Sequence, residues 1–140
     1  MKPLTIGTAA CLLLMLAVGC GNNSGKITGA VSGKVTFKEQ PVTEGIVQFA
    51  PVGEGYFANA DISSDGSYTV RTSDGGLPVG DYRVSVLPPT VTTPDTADSP
   101  GGEMLKNVDN IPAKYRSPET SELTISVVKG SQTFDISMTE

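Results

Sequence analysis

The sequence predicts an all-β domain, a two-sheet β-sandwich, behind a short N-terminal leader. Three observations indicate this fold class. Apolar and polar residues alternate in seven short runs, which is the period-two pattern of half-buried strands. The chain has 16 glycines and 10 prolines, and these residues favour turns between short strands. No window has the apolar stripe of an amphipathic helix, apart from one short turn near residues 104–108.

The leader, residues 1–19, is interpreted as a bacterial lipoprotein signal peptide. Lys2 gives a positive start, and the uncharged apolar stretch after it is shorter than the roughly 20 residues that a membrane-spanning helix needs. Residues 16–20, Leu-Ala-Val-Gly-Cys, resemble a lipobox. We therefore expect a lipid at Cys20, whose thiol and new amino terminus would carry the acyl chains that hold a protein stably on a membrane. The alternative is an ordinary secretory signal with an incidental cysteine.

The rest of the chain is expected to form a tether and one domain. Residues 20–29 are expected to be the lipidated, flexible tether, because residues 21–25 are small and polar. Residues 30–140 are expected to form the sandwich, and this length suffices to bury a core. Cys11 leaves with the leader, so the mature chain has no second thiol for a disulfide.

Each predicted strand has one face toward the core. The first five strands are expected to turn these residues inward: Val31, Gly33, Val35 and Phe37; Val47 and Phe49; Ala58, Ala60 and Ile62; Tyr68 and Val70; Tyr82, Val84 and Val86. A tight turn at Asp65-Gly66 separates the third and fourth strands, since Asp-Gly readily adopts positive φ. The last two strands are expected to turn inward Leu123, Ile125 and Val127, and Phe134, Ile136 and Met138.

A long loop over residues 88–110 interrupts the strand pattern. Its first part is rich in proline, acidic and poor in apolar residues. Loops longer than about 12–15 residues are usually functional or disordered, and this composition favours a solvated insertion over a binding loop. Residues 111–118, Ile-Pro-Ala-Lys-Tyr-Arg-Ser-Pro, differ because an isoleucine and an aromatic residue stand between two prolines. We expect that segment to pack on the edge of the sandwich.

The order of several short pieces resembles a known family. Val-Ser-Gly-Lys-Val at 31–35, Asp-Gly-Ser-Tyr at 65–68 and Gly-Asp-Tyr-Arg-Val-Ser-Val at 80–86 resemble the carboxypeptidase regulatory-like, transthyretin-type sandwich. With Ile-Pro-Ala-Lys-Tyr-Arg at 111–116, the pattern is similar to small lipoproteins of planctomycete-type bacteria over nearly all of residues 30–138. The resemblance implies a seven-stranded Greek-key sandwich with one long Pro-rich insertion and a place in the cell envelope. It implies no established activity.

The composition argues against several kinds of catalytic and binding site. The chain contains no histidine, which excludes Ser–His–Asp and Cys–His nucleophilic sites and the usual zinc ligand sets. A net charge of −5 without a basic cluster argues against a nucleic-acid partner. Asp61, Asp65 and Asp74 lie near one end of the predicted sandwich, but their spacing enforces no paired-carboxylate hydrolase site. No run resembles a calcium-binding loop, so no metal and no cofactor is expected.

These observations predict a protein without catalytic activity, anchored to a membrane through Cys20 and facing the periplasm or exterior of a bacterial envelope. We expect a structural or interaction role, with another envelope protein or a glycan as partner. The alternative is a carbohydrate- or ligand-binding accessory module, which needs an exposed aromatic platform. A hydrolase that uses carboxylates alone is the weaker alternative. Phe57, Tyr115 and Arg116 are the candidate interaction residues. Phe57 and Tyr115 are the two candidates for an exposed ring, but core or edge packing is favoured for both, because aromatic side chains chiefly serve burial.

Overall fold

A computed structural model describes residues 26–140. The predicted signal peptide, the lipid attachment site at Cys20 and the tether as far as residue 25 lie outside the described residues. The first strand begins at Thr28, before the predicted domain boundary at residue 30. It starts early because Thr28 and Gly29 pair with Pro78 and Leu77.

The described chain consists of strands and one short 3₁₀ helix at Ala113–Arg116. The strands are β1 (Thr28–Phe37), β2 (Gln40–Pro41), β3 (Ile46–Pro51), β4 (Ala58–Asp61), β5 (Ser67–Thr69), β6 (Leu77–Pro78), β7 (Gly80–Leu87), β8 (Thr90–Thr93), β9 (Gly102–Leu105), β10 (Leu123–Val127), β11 (Gly130–Thr133) and β12 (Ile136–Met138).

The strands form two main sheets and a separate hairpin. In the first sheet β1 pairs parallel with β11 and β12 and antiparallel with β2, β5 and β6. In the second sheet the order is β10-β7-β3-β4, and every neighbouring pair is antiparallel. Strands β8 and β9 pair only with each other. The all-β prediction is confirmed, and the arrangement is consistent with a β-sandwich.

The predicted core faces are confirmed. Fifteen of the predicted inward residues are buried: Val31, Val35, Val47, Phe49, Ala60, Ile62, Tyr68, Val70, Tyr82, Val84, Val86, Ile125, Val127, Ile136 and Met138. Four more pack partly buried against them: Phe37, Ala58, Leu123 and Phe134. Period two therefore located the core because each of these strands has one face against it and the other in water.

The structure divides the strands more finely than the seven predicted runs, and the count of seven is not confirmed. Residues 130–133, which belong to none of the seven predicted runs, form β11 along β1. Their sequence Gly-Ser-Gln-Thr is polar and mostly exposed, so no apolar alternation marks the strand. Strands β2 and β6 have two residues each, which is too short for any periodicity to appear.

The sandwich has two ends. We call the end where β1 and β7 begin the N-terminal end; there the amide of Val79 donates to the carbonyl of Ile27 over 3.0 Å, and Val127 pairs with Gly80. We call the opposite end, where β1 and β7 finish, the hairpin end, because β8 follows β7 there. The Nζ of Lys106 lies 2.6 Å from the carboxylate of Glu44, which joins the hairpin's base to the loop before β3.

Candidate functional site at the two ends of the sandwich

A groove of about 720 Å³ opens at the N-terminal end. It lies between the loop that joins β3 to β4, the segment that contains β6, and the chain entry at Lys26 and Ile27. Tyr56 is 86% exposed and Phe57 is 64% exposed, and both line the groove. Phe57 was a candidate for an exposed ring, but core or edge packing was favoured; its exposure shows that the favoured packing is wrong for this residue. The neighbouring Tyr56, which the sequence pattern did not single out, is the more exposed ring.

Glycines shape the loop that carries these two rings. Gly53 has φ 110° and Gly55 has φ 157°, and the first of these lies in a region that side chains rarely enter. A Cβ on Gly55 would stand 2.9 Å from Cγ of Pro51, so a larger residue would collide with the end of β3. The amide of Val52 donates to the carbonyl of Asp81 over 2.9 Å and fixes the loop's first residue against β7. The backbone thus projects Tyr56 and Phe57 outward.

The wall and rim of the groove are polar in a few places only. The hydroxyl of Tyr82 donates to the carbonyl of Pro78 over 3.0 Å, and burial raises the pKa of this hydroxyl above its ordinary value. The charged residues that line the groove are Lys26, Glu54, Asp74 and Asp81. Three acids and one base give the lining a small negative charge. Such a lining offers aromatic contact and hydrogen-bond acceptors, without a cluster of cations for phosphate.

The hairpin end is closed by the chain itself, and Tyr115, one of the two candidates for an exposed ring, is buried there, as the favoured edge packing predicts. Tyr115 is only 7% exposed, because it belongs to the segment that packs over this end, and its hydroxyl accepts a hydrogen bond from the amide of Thr139 over 3.1 Å. Ile111 in the same segment is fully buried. The prediction that residues 111–118 pack on the sandwich is confirmed, and that packing removes Tyr115 from the set of exposed aromatic rings.

Arg116 bonds within its own segment. Its Nε donates to the carbonyl of Ile111 over 2.9 Å, and its Nη2 donates to the carbonyl of Val108 over 3.0 Å. The guanidinium is half-buried and ties together the turn that holds Ile111 in place. These contacts give Arg116 a structural role; an interaction through its guanidinium would have to compete with both hydrogen bonds.

The predicted long loop 88–110 contains a regular hairpin. In it Val91 pairs with Met104 and Thr90 pairs with Leu105. The amide of Lys106 donates to the carbonyl of Pro89 over 2.8 Å and closes the base of the hairpin. Three large apolar side chains are exposed on the hairpin: Val91 at 39%, Met104 at 55% and Leu105 at 48%. The composition-based expectation of a solvated insertion missed this hairpin because its strands have four residues each, β8 consists mostly of threonine, and prolines lie close by.

The three acids of the hydrolase alternative occupy separate places. Asp65 accepts hydrogen bonds from the amide and the hydroxyl of Ser67, and these bonds lower the pKa of its carboxyl. Asp61 and Arg71 both line a polar cleft of about 320 Å³, whereas Asp74 lines the N-terminal groove. Asp65 is therefore a turn residue. Within residues 26–140, no group of three histidine, cysteine or acidic residues is arranged to hold a metal ion.

Two further findings bear on function. None of the helical turns between residues 26 and 140 has the length and the hydrophobicity to cross a bilayer. No protein family, curated protein or solved structure matches the chain.

Proposed function

We propose that this protein is a lipid-anchored component of a bacterial cell envelope that acts by binding and performs no catalysis. The anchor is Cys20, and the domain faces the periplasm or the exterior. The fold type proposed is the Greek-key sandwich of the transthyretin-like, carboxypeptidase regulatory-like class, as in the small planctomycete-type lipoproteins that the sequence resembles. The proposed partner is another envelope protein.

One observation carries this proposal: the chain enters at one end of the sandwich and presents its apolar hairpin at the other. Strand β1 starts at Thr28, eight positions after Cys20. Its 10 residues span about 33 Å at roughly 3.3 Å per residue. A domain held by Cys20 therefore has its tether at the end opposite the β8–β9 hairpin, so the anchor leaves the hairpin accessible to another protein.

The chemistry of the hairpin favours a protein partner. Val91 and Met104 are paired and lie exposed on one face of the hairpin, and Leu105 lies exposed on the other face. Exposed apolar groups rimmed by polar residues commonly mark contacts between proteins, and methionine adapts its shape to varied partners. Catalysis has less support, because the chain has no histidine and Asp65 is held in a turn by Ser67.

The anchor is tested separately from the partner. Mass spectrometry of the mature N-terminal peptide should find a diacylglycerol on Cys20, and Cys20→Ser should release the protein from the membrane fraction. An unmodified Cys20 in the mature protein would refute the anchoring part of the proposal.

The partner is tested by cross-linking in cells, followed by purification of the lipidated protein. We expect a discrete cross-linked partner with the native chain and its loss in the double variant Val91→Ser and Met104→Ser. The matched control is Val128→Ser, an equally exposed apolar residue at the N-terminal end. Equal cross-linking in all three proteins would contradict binding through the hairpin.

A second candidate function is binding of a glycan or another small ligand in the N-terminal groove. The observation that favours it is the pair of exposed rings, Tyr56 and Phe57, next to the acceptors Asp74 and Asp81. Aromatic rings beside carboxylates are a common arrangement for contact with sugars. Binding on a glycan array that disappears in Phe57→Ala and persists in Tyr115→Phe would support this candidate.

A further inference from the structure

The exposed apolar side chains of residues 26–140 are concentrated, not scattered. Three lie on the hairpin, and six lie at the N-terminal end: Ile27, Val52, Tyr56, Phe57, Val79 and Val128. Single exposed apolar residues are normal on a protein surface, whereas a contiguous group indicates a contact surface. We call these six residues the N-terminal patch.

Backbone contacts bring the patch together around the chain entry. The amide of Val79 is bonded to the carbonyl of Ile27, and Val128 follows the residue that pairs with Gly80. Val52, Tyr56 and Phe57 line the same groove as Ile27 and Val79. The patch therefore surrounds the point where the chain leaves the sandwich toward Cys20.

The opposite end shows that this exposure is specific to one end of the sandwich. At the hairpin end Ile111 and Tyr115 cover the core and are themselves buried. The packing at this end leaves no spare room beside the start of β3. A Cβ added to Gly45 would lie 3.2 Å from Cδ1 of Ile111 and 3.4 Å from Cδ1 of Ile62. Within residues 26–140, no comparable segment covers the N-terminal patch.

The length of chain between the anchor and the patch identifies what lies nearest to it. Ile27 is seven positions after Cys20, and a fully extended chain of seven Cα–Cα steps reaches at most about 25 Å. A lipid on Cys20 would thus keep the patch within this distance of a bilayer at all times. Tethering at such short range gives even a weak contact a high effective concentration.

The chemistry of the patch matches the interfacial region of a bilayer. Tyrosine favours the headgroup level of membranes, while phenylalanine and aliphatic side chains insert just below it. The lining of the adjoining groove contains three acids and only Lys26 as a base, so attraction to anionic headgroups is not the driving force. The contact expected is apolar and requires no anionic lipid.

We propose that the N-terminal patch inserts into the interfacial region of the bilayer that holds the lipid anchor, so that the domain stands on the membrane in one orientation. This inference rests on the proposed anchoring at Cys20. It adds a second membrane contact and an orientation, with the hairpin pointing away from the lipid.

The test uses the lipidated mature chain in phosphatidylcholine vesicles with brominated acyl chains. The chain has no tryptophan, so the variant Phe57→Trp introduces a single reporter at the patch. We expect a blue-shifted emission that brominated lipid quenches about twofold or more, since an interfacial side chain sits at the headgroup–acyl boundary. The matched control is Met104→Trp, which is similarly exposed but lies on the hairpin, and its emission should be unaffected.

The possible failures can be told apart. Vesicle flotation measures anchoring: a chain that does not float refutes the anchor at Cys20, and the inference falls with it. A chain that floats with equal quenching in both variants, or with none, overturns the inference and leaves the anchor intact. If the blue shift is independent of bromine and rises with protein density, the patch contacts a second copy of the protein. If the blue shift appears only with added glycan, the patch belongs to the ligand-binding alternative. Each of these two outcomes also overturns the inference.

Discussion

The two ends of this sandwich meet the same physical requirement in opposite ways. At the hairpin end the chain folds residues 107–122 back over the core, and Ile111 becomes fully buried. At the N-terminal end the groove stays open, and Tyr56 and Phe57 are mostly exposed. The first end is complete within the described chain, whereas the second presents apolar surface to whatever lies outside.

The contrast extends to hydrogen bonding. Residues 107–122, the segment that covers the core at the hairpin end, are held by two side chains. The guanidinium of Arg116 donates to two carbonyl groups, and the hydroxyl of Tyr115 accepts a hydrogen bond from the amide of Thr139. The open end has a loop shaped by Gly53 and Gly55, with one backbone bond from Val52 to Asp81. Side-chain removal at the two ends should therefore have different consequences: loss of stability at the closed end and loss of contact at the open end.

The largest expected effect is at Ile111. Truncation by Ile111→Ala leaves a cavity beneath the covering segment and should lower the free energy of unfolding by about 2–5 kcal/mol. Urea unfolding followed by circular dichroism measures the change. The matched control at the open end is Val52→Ala, which is 58% exposed and should change stability by less than about 0.5 kcal/mol.

Equal losses in the two variants would break the comparison, because both ends would then carry similar packing energy. A small loss in Ile111→Ala, with Val52→Ala also neutral, would mean that the covering segment is dispensable for the core.

The next effect concerns the guanidinium at the hairpin end. Arg116→Lys keeps the charge but cannot reach both carbonyl groups with one ammonium, so we expect a loss of about 1–3 kcal/mol. Arg83→Lys is the control, since Arg83 is exposed on β7. If the two variants unfold at the same urea concentration, the hydrogen bonds from Arg116 do not stabilise the covering segment.

The sequence predicted the fold better than the site, for a physical reason. A residue such as Val47 or Val84 is buried because its strand has one inward face, and period two records that directly. The covering segment was also predictable as a packed edge, since Ile111 and Tyr115 stand between prolines. In both cases the residues next to each other in the sequence are enough to predict which side chains are buried.

The errors arose where burial depends on distant contacts. Tyr115 stayed a candidate for exposure, although edge packing was favoured, because Thr139, the partner of its hydroxyl, lies 24 positions along the chain. Tyr56 was passed over because nothing local distinguishes it from Phe57; only the pairing of β1 with β6 and of β3 with β7 places both at the chain entry. Strand β11 was missed because its partner, β1, lies about 100 residues earlier. Register between distant strands leaves little trace in polar residues.

A smaller effect of opposite sign is expected at the β1–β2 turn, also at the hairpin end. Lys38 and Glu39 have φ 48° and 64°, the conformation of a two-residue hairpin turn that usually contains glycine or asparagine. Glu39→Gly should therefore raise the free energy of unfolding by about 0.5–1 kcal/mol. The control Ser64→Gly, at a turn residue without positive φ, should lower stability slightly. A loss in Glu39→Gly would show that the turn is not strained.

The smallest expected effect is a difference between the two ends in how stability depends on pH. Burial raises the pKa of Tyr82, at the N-terminal end, above 10.0, so its stabilising contribution is complete below pH 10.0 and is lost as the pH rises through the folded value. Burial also raises the pKa of Tyr115, but the hydrogen bonds with Thr139 and the charge of Lys114 outweigh burial, so the pKa is lowered overall. The contribution of Tyr115 to stability is therefore present above pH 10.0 and is lost as the pH falls through the folded value.

Urea unfolding from about pH 8 to pH 11 should therefore respond in opposite directions to two matched variants. Tyr82→Phe should flatten the alkaline fall in the unfolding midpoint, because it removes a hydroxyl that resists ionisation in the folded state. Tyr115→Phe should steepen that fall, because it removes a hydroxyl whose anion the fold favours. Identical pH profiles would mean that the two tyrosines experience the same surroundings, and the contrast between an open end and a hydrogen-bonded, closed end would then not extend to their electrostatics.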